Sequence, residues 1–221
     1  WRLKGIVIEE LIGEGAYGHV CRGREEGGEM VAVKKIFTPT TFLRRRAVAE
    51  VAAMRAMREH PNIVTLKSVQ REGVKRGAGE RGCKLLMEMY LLMELCSCSL
   101  VNFLVGEKAE EIQSEDAENL GLQMLDGVCF MHSCSIYHGD LNSKNILLKM
   151  DSQGHVSGLR ICDFGMAGIV RSEGETGHQR QIKCSDGTRE ECEAVESSPP
   201  YPIERNVRQY RPPEVILNVR K

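Results

Sequence analysis

Apolar residues in this chain of 221 residues follow mainly the spacing of strands before Cys96 and mainly that of a helix after it, and this order limits the folds that the chain can adopt. Residues 6–37 hold short apolar runs separated by glycines, which predicts three antiparallel strands. Residues 63–69 and 85–95 are further apolar runs, and we expect each to form another strand. The first part of the chain is therefore predicted to be rich in strands.

Helical spacing occurs once before Cys96 and again after it. Residues 41–58 place three apolar side chains on one helical face: Val51, Met54 and Met57. Residues 115–135 repeat apolar residues every three or four positions, at Ala117, Leu120, Met124, Val128 and Met131. We therefore expect an α+β fold with two lobes, a strand-rich N-lobe over residues 1–95 with one main helix and a helical C-lobe over residues 96–221.

Composition argues against several classes of protein. The 30 Lys and Arg residues nearly balance the 31 Asp and Glu residues, so the net charge creates no electrostatic field that would attract nucleic acid. No apolar run reaches the roughly 18–20 residues needed to cross a bilayer, so we expect no membrane contact. The nine cysteines are odd in number and accompany no secretory signal, which is typical of reduced thiols in a cytoplasmic or nuclear protein.

One loop and the turn that follows it carry a base and metal ligands. Asp140 is followed five residues later by Asn145, and Asp163 begins an Asp-Phe-Gly sequence. Two oxygen ligands suit Mg²⁺, which is a hard cation, and a carboxylate can accept a proton from a hydroxyl group. These are the groups that phosphoryl transfer from a magnesium nucleotide requires.

A glycine-rich segment near the N-terminus reads Gly13-Glu14-Gly15-Ala16-Tyr17-Gly18-His19-Val20. Glycines let a backbone approach phosphate groups closely and present its N–H groups to them. A dinucleotide-binding turn has similar spacing, but it requires a helix that opens at the third glycine. Here the residues after Gly18 have the pattern of a strand, which favours a β-hairpin that covers phosphates.

Lys34 and Glu50 are the remaining candidates for phosphate binding. Lys34 ends the apolar run Val31-Ala32-Val33, and Glu50 lies on the predicted helix that follows. Each residue alone is ordinary, since lysine and glutamate are mostly exposed to solvent. Together, after a glycine-rich hairpin, they can form an ion pair whose lysine faces the α- and β-phosphates of a nucleotide.

These motifs follow the order found in eukaryotic protein kinases, and the chain resembles that family over nearly all of its length. Further markers are His60-Pro61-Asn62-Ile63-Val64, a hinge at Leu92-Met93-Glu94-Leu95-Cys96, and Arg211-Pro212-Pro213-Glu214. The resemblance implies transfer of the γ-phosphate of ATP to a protein substrate with Mg²⁺ as cofactor, and the serine/threonine-specific members are the expected group.

The resemblance also implies a role for each candidate residue. Asp140 would accept or orient the proton of the substrate hydroxyl. Asn145 and Asp163 would bind Mg²⁺, and the pair of Lys34 with Glu50 would hold the phosphates. The nucleotide would contact these residues: Ile12, Gly13, Glu14, Gly15, Ala16, Gly18, Val20, Ala32, Lys34, Glu94, Cys96 and Leu147.

Several positions depart from the family pattern. Gly139 replaces an arginine that binds a phosphate on the activation loop, and Asn142 replaces a lysine of the serine/threonine kinases. Val207 replaces a threonine that bridges to the catalytic aspartate. Lys144 lies where many tyrosine kinases have an arginine, and it could compensate in part. A pseudokinase that acts as a nucleotide-binding or scaffolding module is therefore the alternative function.

A run of three arginines, Arg44 to Arg46, lies near the start of the first predicted helix. These residues could supply part of the charge that Gly139 lacks. A solvent-exposed helix face is the simpler interpretation of such a run.

The C-terminal part of the chain is polar. Residues 171–205 lack periodicity and are predicted to form a long mobile loop. The chain ends at Lys221, soon after the motif at 211–214, whereas the second lobe of the resembled family continues with further helices. We therefore expect a fragment that is unstable when expressed alone.

Overall fold

A five-stranded antiparallel sheet packed on one helix forms the first part of the molecule. The computed structural model describes residues 3–15, 18–38, 40–57, 60–75, 85–106, 114–169, 182–183 and 189–190. The sheet and its helix comprise β1 (Ile6–Gly15), β2 (Gly18–Glu25), β3 (Met30–Thr38), α1 (Thr41–Ala56), β4 (Leu66–Lys75) and β5 (Leu85–Glu94). The strand order is β1-β2-β3-β5-β4, so the three strands predicted over residues 6–37 are confirmed.

Shorter elements follow the sheet. They are β6 (Cys98–Ser99), α2 (Leu100–Leu104), α3 (Ser114–Ser133), β7 (Ile136–Tyr137), β8 (Ile146–Met150), β9 (Val156–Ile161), a 3₁₀ turn (Phe164–Met166), β10 (Gly168–Ile169), β11 (Ile182–Lys183) and β12 (Arg189–Glu190). Strands β6, β8 and β9 form one sheet, and β7 pairs with β10. Within the described ranges, no helix has both the length and the apolar character needed to cross a bilayer.

Helix α1 forms where the pattern predicts it and carries part of the core. The Thr40 hydroxyl caps its first turn by accepting a hydrogen bond of 3.2 Å from Leu43 N. Val51, Met54 and Met57 are buried on one face, as the spacing predicts. The same apolar cluster includes side chains of β8 and β9, so one continuous core joins the sheet to the later elements.

Strand β4 differs from its prediction at both ends. The strand begins at Leu66, because the backbone of residues 62–64 bonds to β9 instead of β5: Ile161 N donates to Asn62 O at 2.8 Å, and Val64 N donates to Ile161 O at 2.9 Å. It extends to Lys75 because residues 71–75 continue the ladder with β5, although the Gly-, Arg- and Glu-rich composition of residues 71–82 predicts a loop.

The apolar face predicted for α3 is covered. Leu120, Met124 and Val128 pack against the main core, and Met131 is buried. The large apolar side chains that α3 exposes lie elsewhere on the helix, at Leu122 and Leu125. The packing is close, because a Cβ added at the helical Gly127 would lie 2.9 Å from Ile161 Cδ1.

Candidate active site

The glycine-rich segment forms the end of the β1–β2 hairpin. Gly13 pairs with Val20, and Gly15 pairs with Gly18, in an antiparallel register. This confirms the hairpin and rules out the strand-to-helix turn of a dinucleotide site. Gly18 is required by packing, because an added Cβ would lie 1.8 Å from Lys35 O of β3. Ala16 lies outside the described residues.

Several candidates for nucleotide contact lie on paired strands of the five-stranded sheet. Val20 is opposite Lys34 across β2 and β3, and Ala32 is opposite Met93 across β3 and β5. Val20 packs against the cluster that contains Ala32. Leu147 lies on β8, and Ile12 and Glu14 are exposed on β1. Their contact with adenine stays a prediction.

Lys34 lies between two carboxylates. Its Nζ is 2.6 Å from Glu50 Oε1 and 2.7 Å from Asp163 Oδ1. Burial opposes the charge on the lysine, but the attraction of Glu50 and Asp163 outweighs it, so the pKa of Lys34 is raised. The attraction of Lys34 in turn lowers the pKa of Asp163. The site therefore holds a protonated lysine and an ionised aspartate at neutral pH.

The Phe164–Met166 turn places Asp163 beside Lys34. Asp163 has φ +64°, and its side chain accepts a hydrogen bond of 3.4 Å from Gly165 N. Phe164 is buried and lies against His138, with ring centroids 5.2 Å apart. Met54 belongs to the same core cluster as Phe164. These contacts anchor the turn in the core while the Asp163 side chain remains half exposed.

His138 holds the loop that carries Asp140. His138 Nε2 lies 2.9 Å from Cys162 O, and Nδ1 accepts a hydrogen bond of 3.2 Å from Asp140 N. A carbonyl can only accept and a backbone N–H can only donate, so these partners select the neutral tautomer protonated at Nε2. Burial lowers the pKa of His138, which favours the same neutral form.

Asp140 and Asn145 are in direct contact. Asn145 Nδ2 donates to Asp140 O at 2.8 Å and to Asp140 Oδ2 at 3.2 Å. This orientation leaves the amide oxygen of Asn145 as an acceptor, and the carboxylate of Asp163 supplies a second oxygen, so the donor set fits Mg²⁺. Burial and the negative charge of Asp163 raise the pKa of Asp140.

A magnesium ion here would take its other ligands from phosphate groups and water. Across the described residues, no group of three His, Cys, Asp or Glu side chains is arranged to bind a metal. Magnesium commonly keeps several waters and uses only one or two protein ligands beside substrate phosphates. The pair of Asn145 and Asp163 matches that pattern.

Asn142 has a structural contact that the sequence interpretation missed. It is buried, its Nδ2 donates to Asp140 O at 3.0 Å, and its Oδ1 accepts from Lys144 N at 2.9 Å. The bond to a backbone N–H two residues on is the usual turn chemistry of asparagine, which could have been recognised from the sequence. Lys144 itself is exposed.

Gly139 lies close against the Phe164–Met166 turn. Its φ is +79°, and an added Cβ would lie 2.3 Å from Met166 O. A side chain at this position would therefore overlap the backbone of the turn. Where the resembled family has an arginine, this structure therefore requires a glycine, both for packing and for the backbone conformation.

The side chain of Glu94 makes contacts that no sequence pattern indicated. Glu94 Oε1 accepts from Thr65 N at 2.8 Å and from Arg160 Nε at 3.2 Å, and Oε2 lies 2.5 Å from Lys149 Nζ. Burial alone would raise the pKa of Glu94, but the hydrogen bonds and the two cations lower it. Two residues after Glu94, burial raises the pKa of the Cys96 thiol to about 11.

Comparisons with known proteins agree with this geometry. The family model described as "Protein kinase domain" matches residues 6–220. The chain is 32% identical over 172 residues to mitogen-activated protein kinase 18 of Arabidopsis thaliana, covering 76% of this chain and 25% of that protein. It is 30% identical over 210 residues to cyclin-dependent kinase F-2 of Oryza sativa subsp. japonica, covering 93% of this chain and 53% of that protein.

The chain thus spans between about a quarter and about half of the length of these two relatives. The family match nevertheless includes every motif discussed above, from the glycine-rich hairpin to Pro213 and Glu214. This chain belongs to the protein kinase family.

Proposed function

We propose that this chain forms the ATP site and catalytic loop of a protein kinase that transfers the γ-phosphate of Mg-ATP to a serine or threonine hydroxyl of a protein. The arrangement of Lys34 between Glu50 and Asp163 carries the proposal, because phosphate binding and metal binding then share one ion cluster. Relatives of about 30% identity among the serine/threonine kinases support the choice of hydroxyl.

The proposal includes two lobes, residues 1–95 and 96–221, with ATP between them. Lys34 would bind the α- and β-phosphates, and Glu50 would keep the lysine in place. Asn145 and Asp163 would hold Mg²⁺. When bound with ATP, Mg²⁺ neutralises negative charge on the phosphate oxygens.

Asp140 would receive or orient the proton of the substrate hydroxyl. Asn145 fixes one of its carboxylate oxygens, and the bond from Asp140 N to His138 fixes its backbone. The raised pKa of Asp140 brings its proton affinity closer to the working pH, which improves a general base.

A radiolabel transfer assay with Asp140→Asn tests the proposal. Loss of a positioned base should lower the transfer rate by about 10²–10⁴-fold. Binding of Mg-ATP should persist, because an asparagine can still accept the hydrogen bond from Asn145. Asp116→Asn, an exposed carboxylate on α3, is the matched control and should transfer phosphate at the wild-type rate. Equal transfer by the wild type and Asp140→Asn would defeat the proposal.

The second candidate is a nucleotide-binding module without transfer, and Asn142 is the observation that favours it. A neutral side chain bonded to its own loop occupies the position of a transition-state cation, and loss of one such charge costs roughly 3–4 kcal/mol, or about 10²–10³ in rate. Wild-type binding of Mg-ATP without any transfer would select this candidate.

A further inference from the structure

The Phe164–Met166 turn is held from two sides by segments that are distant in sequence. Gly139 contacts it from the side of the catalytic loop, as described above. Helix α1 lies on the other side, where a Cβ added at Gly165 would lie 3.4 Å from Glu50 Oε2. Because Asp163 immediately precedes this turn, its position depends on both contacts.

Arg46 makes the polar contact on the side of α1. Its Nη2 donates a hydrogen bond to Gly165 O and contacts Met166 Sδ. Hydrogen bonds from a charged donor are roughly twice as strong as neutral ones. The interpretation of Arg44 to Arg46 as an exposed face therefore holds for Arg44 and Arg45 and is wrong for Arg46, which is half-buried.

Arg46 and Glu50 act on the turn from the same helical face. They are four residues apart, so their side chains lie one above the other on α1. A cavity of about 20 Å³ beside them is lined by Lys34, Arg46, Glu50 and Gly165 together with apolar residues of β3 and α1. Such a cavity admits about one water molecule, so the helix and the turn form one packed unit.

We infer that Arg46 is a positioning residue that fixes Asp163 by binding the turn to α1, and that this contact orders the turn without a phosphorylated residue. The contact ends on a main-chain carbonyl, which is present in every phosphorylation state of the chain. On the opposite side Gly139 has no side chain that could bind a phosphate. The inference rests on the proposed function, because it assigns Asp163 to metal binding.

The test compares the full wild-type chain, treated with a phosphatase, with Arg46→Ala, Arg46→Lys and Arg44→Ala. Calorimetry measures the affinity for ATP with and without Mg²⁺. Hydrogen exchange, in the absence of nucleotide and metal, measures protection of the Ala167 amide, which donates to Phe164 O at 3.0 Å. Arg44 is the matched control, since it lies on the same helix and is exposed.

Arg46→Ala should weaken Mg-ATP binding about tenfold, the effect of one charged hydrogen bond, and leave ATP binding without Mg²⁺ unchanged. Exchange at Ala167 should be faster in the same variant. Arg46→Lys should recover part of both losses, because lysine keeps one charged donor. Arg44→Ala should match the wild type, and phosphatase treatment should leave wild-type Mg-ATP affinity intact.

Three results would overturn the inference. If Arg46→Ala has the Mg-ATP affinity and the Ala167 exchange rate of the wild type, the contact of Arg46 does not position Asp163. An equal loss of ATP affinity with and without Mg²⁺ would show a general structural role. A loss of wild-type Mg-ATP binding after phosphatase treatment would show that ordering requires phosphate. Failure of the wild type to bind Mg-ATP in either state would instead defeat the proposed function, and the exchange at Ala167 would still decide the role of Arg46.

Discussion

Replacing Gly139 by alanine measures how closely the catalytic loop approaches the Phe164–Met166 turn. The left-handed conformation at φ +79° costs a residue with a side chain about 1–2 kcal/mol. The added Cβ would lie 2.3 Å from Met166 O, and relief of this overlap requires a backbone shift. Overpacking of this kind costs about 1–3 kcal/mol. The free energy of unfolding should therefore fall by about 2–5 kcal/mol.

Gly28 provides the matched control. It lies between β2 and β3 with φ +87°, and among the described residues no atom beyond its two chain neighbours lies within 4 Å of an added Cβ. Gly28→Ala should therefore cost only the conformational part, about 1–2 kcal/mol. The difference between the two losses in free energy of unfolding gives the cost of the overlap with Met166 O.

Urea denaturation of both variants, followed by circular dichroism, gives the two free energies. Native domains are commonly stable by only about 5–15 kcal/mol, so the expected loss in Gly139→Ala is a large shift of the midpoint. Equal losses in Gly139→Ala and Gly28→Ala would refute the close approach. The affinity for Mg-ATP should also fall in Gly139→Ala alone, because the displaced turn carries Asp163.

Three other predictions follow from described contacts. In helix α3, Gly121→Ala should raise the free energy of unfolding by about 1 kcal/mol, because alanine has the higher helix propensity. Gly127→Ala should lower the free energy of unfolding, because the added Cβ would lie 2.9 Å from a buried isoleucine. Thermal melts of the two variants compare these effects. Lys34→Met should cost about 3–5 kcal/mol by leaving Glu50 buried without its cation, and adding Glu50→Gln should restore most of the loss in a double-mutant cycle. Burial lowers the pKa of His138, so the neutral side chain should contribute fully to stability above the ordinary histidine pKa of about 6.5. This contribution should decline as pH falls below that value. Urea midpoints measured at several pH values should show the decline in the wild type and a smaller decline in His138→Phe.

Patterns local in sequence predicted much of this molecule. The three N-terminal strands and both long helices follow from spacing alone, because apolar periodicity reflects which face is buried. The pairing of Lys34 with Glu50 was predictable as well, since a strand end and the next helix are constrained by the hairpin before them. The loop predicted over residues 71–82 is wrong for residues 71–75, because ladder pairing with β5 overrode the polar composition.

Contacts between distant segments were not predictable in this way. Arg46 belongs to a run of three arginines that local composition cannot tell apart, and only the approach of Gly165 distinguishes it from Arg44. The side chain of Glu94 meets Lys149 and Arg160, which lie over 50 residues away on β8 and β9. Such contacts depend on how the later elements pack against the sheet, and no periodicity within one segment encodes that packing.

The connection from α1 to β4 and the end of β5 are bonded to each other, and each is also bonded to later elements of the chain. Glu94 N donates to Thr65 O at 3.0 Å, and Thr65 N donates to Glu94 Oε1 at 2.8 Å. Asn62 is meanwhile bound to Ile161 of β9, so the connection between α1 and β4 stays with the later elements. Glu94 in turn contacts Lys149 of β8 and Arg160 of β9. The position of the sheet is therefore tied to β8 and β9 through both of its connections.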